Sequence, residues 1–350
     1  MRTRGKIKLD YAQDMAVLRT WGHWFILLLF LAFLVALPQL LRWTGNVSWL
    51  VFLNITMLTI IAVLGLNIIT GMTGQVSMGH SAFIMVGAYA TAILAVANIP
   101  YWVALPVAAV ITAVVGIIVG APSLRLKGFY LAVATLAFFL VAQYIIRNLE
   151  IAGRTNGIIG IPAPIIGGFK INSDMSWYYL ILALTVLFTA FSVNLTRSRL
   201  GRSFFAVRDN DTTAASMGIN VYGTKLRAFF IGSLFAGLAG GLWASYLTVV
   251  RLDQFTIWES IWYLGMIVIG GGGSTAGAIM GILFLRLISQ ILHSMSMASW
   301  APSIGAHTWV FSTFAIYGLA IIIFVSFQPY GLIAVWNKIK LNYKRWPFGY

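Results

Sequence analysis

Residues 21–41 read WGHWFILLLFLAFLVALPQLL, 21 consecutive positions without a charged side chain. The hydrocarbon core of a bilayer is about 30 Å thick, so an α-helix crosses it with about 20 mostly apolar residues. This run meets that requirement by itself. Nine further apolar runs follow, at roughly 48–70, 79–98, 101–120, 128–147, 177–195, 226–249, 257–272, 274–292 and 307–327. Only the run at 257–272 is short for a crossing, and it abuts a string of glycines. The composition agrees: 60% of the 350 residues are hydrophobic and 9% are charged, whereas a soluble domain carries about 25% charged residues. Soluble enzymes and disordered chains are excluded, and with no cysteine in the chain so is a disulfide scaffold. The expected fold is an all-α polytopic membrane protein with about ten transmembrane helices.

The first run follows a basic tail, as a signal peptide would. It has Leu37-Pro38 where a cleavage site needs small residues, so a retained first helix is expected.

The net charge of +15 has to be located before it is interpreted. Lys and Arg gather in the N-terminal tail (Arg2, Arg4, Lys6, Lys8, Arg19), at Arg125 and Lys127, between Arg197 and Arg227, and in the C-terminal tail (Lys338, Lys340, Lys344, Arg345). Positive residues stay cytoplasmic. With ten spans and a cytoplasmic N-terminus, all four clusters fall inside, 17 positives against the five of Arg42, Arg147, Arg154, Lys170 and Arg251 outside. Both termini are then cytoplasmic. This divides the chain into a tail at 1–20, one transmembrane domain at 21–327 with a cytoplasmic loop at 197–225, and a second tail at 328–350. The basic balance expresses topology and contact with anionic lipid, not nucleic-acid binding. Trp21, Trp24, Trp43, Trp49, Trp102, Trp177, Trp258, Trp300, Trp309 and Trp336 lie near expected span ends, where amphipathic rings settle.

None of the eight acidic residues (Asp10, Asp14, Glu150, Asp174, Asp209, Asp211, Asp253, Glu259) falls in the middle of an expected span. Proton relays and intramembrane proteases need ionisable groups at depth. The four histidines are scattered and no zinc motif is present, so no metal or catalytic site is expected. Arg286 lies within the ninth span, and the expectation is that it snorkels or pairs near the outer helix end. A chain without coupling chemistry in its spans takes its energy from elsewhere.

Three segments carry further information. From Gly65 to Gly87, five glycines and the polar Asn67, Thr73, Gln75 and Ser77 interrupt an apolar stretch. Backbone freed from a helix at membrane depth is buried in protein or lines a watery cavity. Asn67, Gly71, Thr73, Gly74, Gln75, Ser77 and Gly79 are therefore candidates for lining a pathway. Close helix packing through the glycines is the competing reading. Gly270-Gly271-Gly272-Gly273-Ser274 reads as a tight turn, with Gly277 and Gly281 as a packing face. It lacks the Gly-Lys-Ser/Thr of a phosphate loop. In the cytoplasmic stretch 197–220, Asp211 or Thr212 caps a short helix, Ala214–Met217 extend it and Gly218 ends it. Such a helix, flanked by mixed charge, suits docking on another protein; a solvated linker is the alternative.

Together and in this order, these segments resemble the LivM-type permease subunit of branched-chain amino acid ABC importers. Gly65–Phe83 matches a G-L-N-x-x-x-G-x-x-G-x-x-S-x-G-H-x-A-F pattern. Thr155–Pro162 approximates an external T-x-G-x-x-G-I-P loop. Gly201–Asn220 matches G-R-x-x-x-A-x-R-x-x-x-x-A-A-x-x-x-G-I-N except for Thr213 at the first of the paired alanines, and Gly270–Gly281 matches G-G-x-G-S-x-x-G-x-x-x-G. The likeness covers about Trp49 to Trp336. Two departures stand out: Arg154 replaces a common glycine, and Ser289-Gln290 replace a Pro-Glu pair, both expected on the outer side.

The resemblance implies a type II ABC-importer-like permease in the bacterial inner membrane, carrying branched-chain or related amino acids. It implies pairing with a homologous LivH-type permease, two cytoplasmic ATPase subunits and a periplasmic solute-binding protein. The chain itself binds no cofactor; ATP and Mg belong to the ATPases. Asp209, Asp211, Thr212, Thr213, Ala214, Ala215, Ser216, Met217 and Gly218 become the coupling helix that seats in an ATPase groove. Relatives carrying urea or short amides keep the cargo open. An ion-driven secondary transporter using carbonyls around Gly71–Gly79 is the alternative mechanism, and an intramembrane enzyme has no visible acid–base constellation to support it.

Overall fold

The computed structural model describes residues 21–43, 45, 48–123, 128–166, 168–296, 306–328 and 330–345. The N-terminal basic cluster, Arg125, Lys127 and Trp300 lie outside the described residues. The chain forms two compact units, 1–51 and 52–350. In the first, α1 (Trp21–Trp43) is a long apolar helix with Pro38 inside it. Most of its side chains are exposed, from Trp21 through Phe33 to Trp43, as lipid-facing side chains would be, while Leu31, Leu34 and Leu37 are half-buried and Pro38 is buried.

The second unit takes up most of α2 (Ser48–Leu66). A π-helical turn, Asn67–Met72, follows it, and residues 73–79 leave the helix altogether. Then come α3 (His80–Val96), α4 (Tyr101–Ser123) and α5 (Phe129–Asn148). A loop carries β1 (Ile158–Ile159), β2 (Ile165–Ile166) and β3 (Phe169–Lys170). Beyond it lie α6 (Asp174–Arg197), α7 (Arg199–Asp209), α8 (Asp211–Ser216) and α9 (Val221–Leu247). The chain ends with β4 (Val249–Val250), α10 (Ile257–Gly270), α11 (Thr275–Ser296), α12 (Ala306–Phe327) and α13 (Gly331–Arg345).

The core is built around α9, which packs along α3 and α4. Small residues allow this approach. A Cβ on Gly237 would lie 2.7 Å from the Thr112 side chain and 3.1 Å from the Ala109 Cα. The backbone of Gly87 meets Gly237 from the third side. In lipid, where burial between helices brings little hydrophobic gain, such backbone-distance packing supplies the dispersion energy that holds helices together. The same logic joins α10 to α11, where a Cβ on Gly277 would lie 2.7 Å from the Gly270 carbonyl oxygen. The glycine run is the tight turn expected from sequence, with Gly271 at φ +105°.

Two ends of the bundle are defined by contacts. At one, α7 and α8 lie beside Gly71 and Gly272. At the other, β1 pairs antiparallel with β4 (Ile158 with Val250), and Asp174 accepts from Tyr246 and from Asn54. Among the described residues, seven helices are long and apolar enough to cross a membrane; His80–Val96 and the described apolar part of α12, Ala315–Phe324, are shorter. The protein is an all-α polytopic membrane protein. The final segment is helical: Gly331 sits on Gly271, while Trp336, Ile339 and Leu341 are exposed among Lys338 and Lys340.

Two stretches of the bundle are only partly helical. Residues 73–79 are non-helical up to α3, and the chain descends from β4 through a 3₁₀ turn (Leu252–Gln254) to α10. With only 14 residues, α10 spans about 21 Å at about 1.5 Å per residue. The N-termini of α3 and α10 meet within the bundle. Ser81 N donates to Ser260 Oγ at 2.9 Å, and Ser81 Oγ donates to the Thr256 carbonyl at 2.9 Å.

Candidate functional site

The interrupted segment after α2 is buried in an unusual way. Asn67, Thr73, Gln75 and Ser77 are at most 2% exposed. Asn67 Oδ1 accepts from Gly273 N at 2.9 Å. Thr73 Oγ1 donates to the Ile69 carbonyl at 2.6 Å, and Gln75 Nε2 donates to Thr73 Oγ1 at 2.6 Å. Yet Asn67 Nδ2, Gln75 Oε1 and Ser77 Oγ have no partner among the described residues. A buried polar atom left unmet costs about 1–3 kcal/mol. Gly65 and Gly79 meanwhile pack against the backbone of Gly232 and Thr135. The segment thus combines both features weighed from sequence, glycine packing and unmatched polar atoms.

The loop between α6 and α9 is built by caps. Ser198 Oγ accepts from Gly201 N and starts α7. Asn210, with extended backbone, accepts from Thr212 N at 2.9 Å and Thr213 N at 3.0 Å and starts α8. The expected cap at Asp211 or Thr212 is therefore corrected to Asn210, whose β-region backbone aims its side-chain oxygen at the second and third helical amides. Asp211 instead accepts from Lys225 Nζ at 2.6 Å, tying α8 to the start of α9. Gly218 follows at φ +82°. On α8 only Ala214 is buried; Thr212, Thr213, Ala215 and Ser216 face outward, as does Met217 after it at 79% exposure.

These two regions meet at Arg208. Its Nη1 donates to the Gly71 carbonyl at 2.6 Å and to the Gly272 carbonyl at 3.2 Å. One guanidinium thus holds the end of the π-helical turn, the glycine turn after α10, and α7. Gly74, at φ +70°, lies against the Arg208 stem. Thr73, Gly74 and Gln75 share a cavity of about 350 Å³ with Asp209, Asn210 and Asp211. The structure therefore brings the two sets of candidates chosen from sequence into one place. Arg208 was not among them, although its position, two residues before a capping Asn, is the available signal.

A second constellation lies deeper. Arg286 does not snorkel: it sits 11 residues into α11, about 16 Å along the helix, and donates through Nη2 to Thr59 Oγ1. Its Nε is buried without a partner among the described residues. Glu259 stands half-buried in the first turn of α10. Glu259 and Arg286 line one cavity of about 230 Å³ with Trp262, Tyr263, Met266 and Ser289.

At the far end, Gly160, Ile161 and Pro162 of the external loop border a cavity with Asp174, Trp177 and Tyr246. Trp177 is buried there, edge-on to Tyr246, not placed in a lipid-facing belt. Arg154 adopts φ +51°, which is the physical reason a glycine suits this position, and it pairs with Glu150.

Comparison with known proteins adds an independent line. The family described as "Branched-chain amino acid transport system / permease component" matches residues 48–325. The chain is 34% identical over 268 residues to the "High-affinity branched-chain amino acid transport system permease protein LivM" of Escherichia coli (strain K12), covering 69% of this chain and 63% of that protein. It is 29% identical over 245 residues to a "Probable branched-chain amino acid transport permease protein LivM" of Methanocaldococcus jannaschii, covering 65% of this chain and 67% of that one. An "Autoinducer 2 import system permease protein LsrC" of Salmonella paratyphi B is 27% identical over 209 residues, covering 56% of this chain and 58% of that one. The match thus spans less than two thirds of the Escherichia coli protein's length. No solved structure matches.

Proposed function

Because the chain belongs to the branched-chain amino acid transport permease family, matched over residues 48–325, we propose that it is the permease subunit of an ATP-driven importer of branched-chain amino acids. In this reading it forms half of the translocation path. It crosses the bacterial inner membrane ten times within 21–327, with the tails 1–20 and 328–350 in the cytoplasm. The α8 end of the bundle is the cytoplasmic end, where Lys225, Arg202 and the basic residues of α13 gather. A second, LivH-type permease completes the path, two ATPases bind beneath it, and a solute-binding protein docks at the end bearing β1 and β4. The names of the LivM relatives, at 34% and 29% identity, support this cargo ahead of the LsrC cargo at 27%.

The observation that carries the mechanism is the Arg208 contact with Gly71 and Gly272. We read Asp209–Gly218 as the coupling helix, its exposed Thr212, Thr213, Ala215 and Met217 seated on an ATPase. A push on α8 is carried by α7 and Arg208 into the π-helical turn and the glycine turn at once. Residues 73–79, which continue the first, and 271–274, which form the second, have no helical ladder to lock their backbone. Asn67, Gly71, Thr73, Gly74, Gln75, Ser77 and Gly79 then line or gate the cytoplasmic half of the path, and the unmatched polar atoms of Asn67, Gln75 and Ser77 are where water or cargo would be met. The test is Ala215→Arg, which puts a bulky charge on the docking face. It should abolish amino-acid uptake while the protein still reaches the membrane. Normal uptake by this variant would refute the role of α8.

A further inference from the structure

The cavity between α10, α11 and α12 holds an arrangement that the coupling mechanism leaves unused. It is lined on one side by Glu259 and on another by Arg286, with Tyr317 contributed by α12. Arg286 is anchored through Nη2 to Thr59, which leaves Nε unmet. Among the described residues the ion pairs are Arg154–Glu150 and Lys225–Asp211, so Glu259 and Arg286 face one space without closing on each other. Two opposite charges deep in a bundle ordinarily collapse into a pair, because an unpaired charge there costs several kcal/mol. Here each is held on its own helix: the Glu259 backbone amide donates to Thr256 Oγ1 at the start of α10, its carboxylate accepts from the Tyr263 hydroxyl, and Arg286 is anchored by Thr59. The walls between them are apolar and aromatic: Trp262, Met266 and Leu285.

We propose that this cavity is an amphoteric subsite for a free α-amino acid, with Arg286 taking its carboxylate, Glu259 its ammonium group, and Trp262, Met266 and Leu285 an apolar side chain. A guanidinium presents parallel N–H donors to a carboxylate, and a carboxylate accepts from all three ammonium hydrogens in turn. The bound zwitterion completes the pairing that the protein leaves open, so its own two charges and those of the cavity neutralise together. A ligand with one charge leaves one protein charge uncompensated. The subsite adjoins the junction of α3 and α10, where Ser260, next to Glu259, accepts from Ser81 N. This rests on the reading of the chain as an amino-acid permease and deepens it.

The experiment uses the complete importer in liposomes, measuring ATP-dependent uptake of labelled L-leucine and, separately, ATP hydrolysis. Glu259→Gln and Arg286→Gln keep shape and remove charge. Each should lower leucine uptake at least tenfold while hydrolysis stays within twofold of the wild-type rate. Wild-type uptake in both variants would overturn the subsite. Should the charge variants fail to assemble, Leu285→Phe tests the same space without touching a charge. It should depress leucine uptake relative to valine by at least threefold, and an unchanged ratio would overturn the proposal. A wild-type importer that carries no amino acid at all would remove the underlying permease reading, an outcome distinct from wild-type uptake that is indifferent to Glu259 and Arg286.

Discussion

Arg208 donates to the main-chain carbonyl of Gly71, 137 residues earlier in the sequence, at 2.6 Å. A side chain reaching a main-chain oxygen is insensitive to the identity of the residue it holds but demanding of its backbone position. The contact therefore reports the shape of the π-helical turn directly to α7. The same nitrogen touches Gly272, so motion of α7 cannot leave either turn unaffected.

Removing this link should uncouple the protein without unfolding it. Hydrogen bonds to a charged group contribute about 1.5–3 kcal/mol each, and about 1.4 kcal/mol is a factor of ten. Arg208→Met is expected to reduce amino-acid uptake at least tenfold at a normal membrane level. Arg208→Lys, with a point charge in place of the fork, should be intermediate. Uptake assays with immunoblots of the membrane fraction check both.

Asn210 caps α8 through two backbone amides. A six-residue helix has little stability of its own, so the loss of about 1 kcal/mol expected for a cap replaced by alanine is large beside it. Asn210→Ala should raise hydrogen exchange in residues 211–217, whereas Asn210→Asp should preserve protection. Equal exchange in the wild type and Asn210→Ala would rule out the capping role.

The packing of α9 on α3 and α4 leaves no room at Gly237. Gly237→Val forces backbone apart at a place where three helices meet. Overpacking of this kind costs about 1–3 kcal/mol, and a lower melting midpoint in detergent is the expected result. Gly128, where a Cβ would meet nothing within 4 Å, offers a steric contrast.

Arg154→Asn should be close to neutral in stability, although an average substitution costs about 1 kcal/mol. Asparagine tolerates the left-handed backbone at this position better than arginine, where an ordinary side chain costs about 1–2 kcal/mol. It forfeits only an exposed pair with Glu150, whose kind contributes about 0.3–0.5 kcal/mol. Thermal unfolding of the purified protein measures the balance.

Much of this was legible in the sequence, for reasons specific to each residue. A run such as 21–41 has one physical solution in a bilayer, and the glycine spacing at 277 and 281 encodes close approach whatever surrounds it. Long-range partners were not legible. Nothing in the local sequence aims Arg208 at Gly71, because that contact depends on how α6 turns α7 back beneath the bundle. The cavity that Glu259 shares with Arg286 was not legible either, because it depends on how α10 packs against α11. The cap at Asn210 was missed by one residue, within the range over which helix ends shift with tertiary context.

The most direct test of the permease reading is leucine uptake into liposomes holding the chain with its partner permease and ATPases, with the binding protein added outside. Uptake that requires ATP on the α8 side, and that vanishes when the ATPase subunits are left out, is the expected outcome. Uptake by the chain alone, driven by an ion gradient and indifferent to ATP, would contradict it.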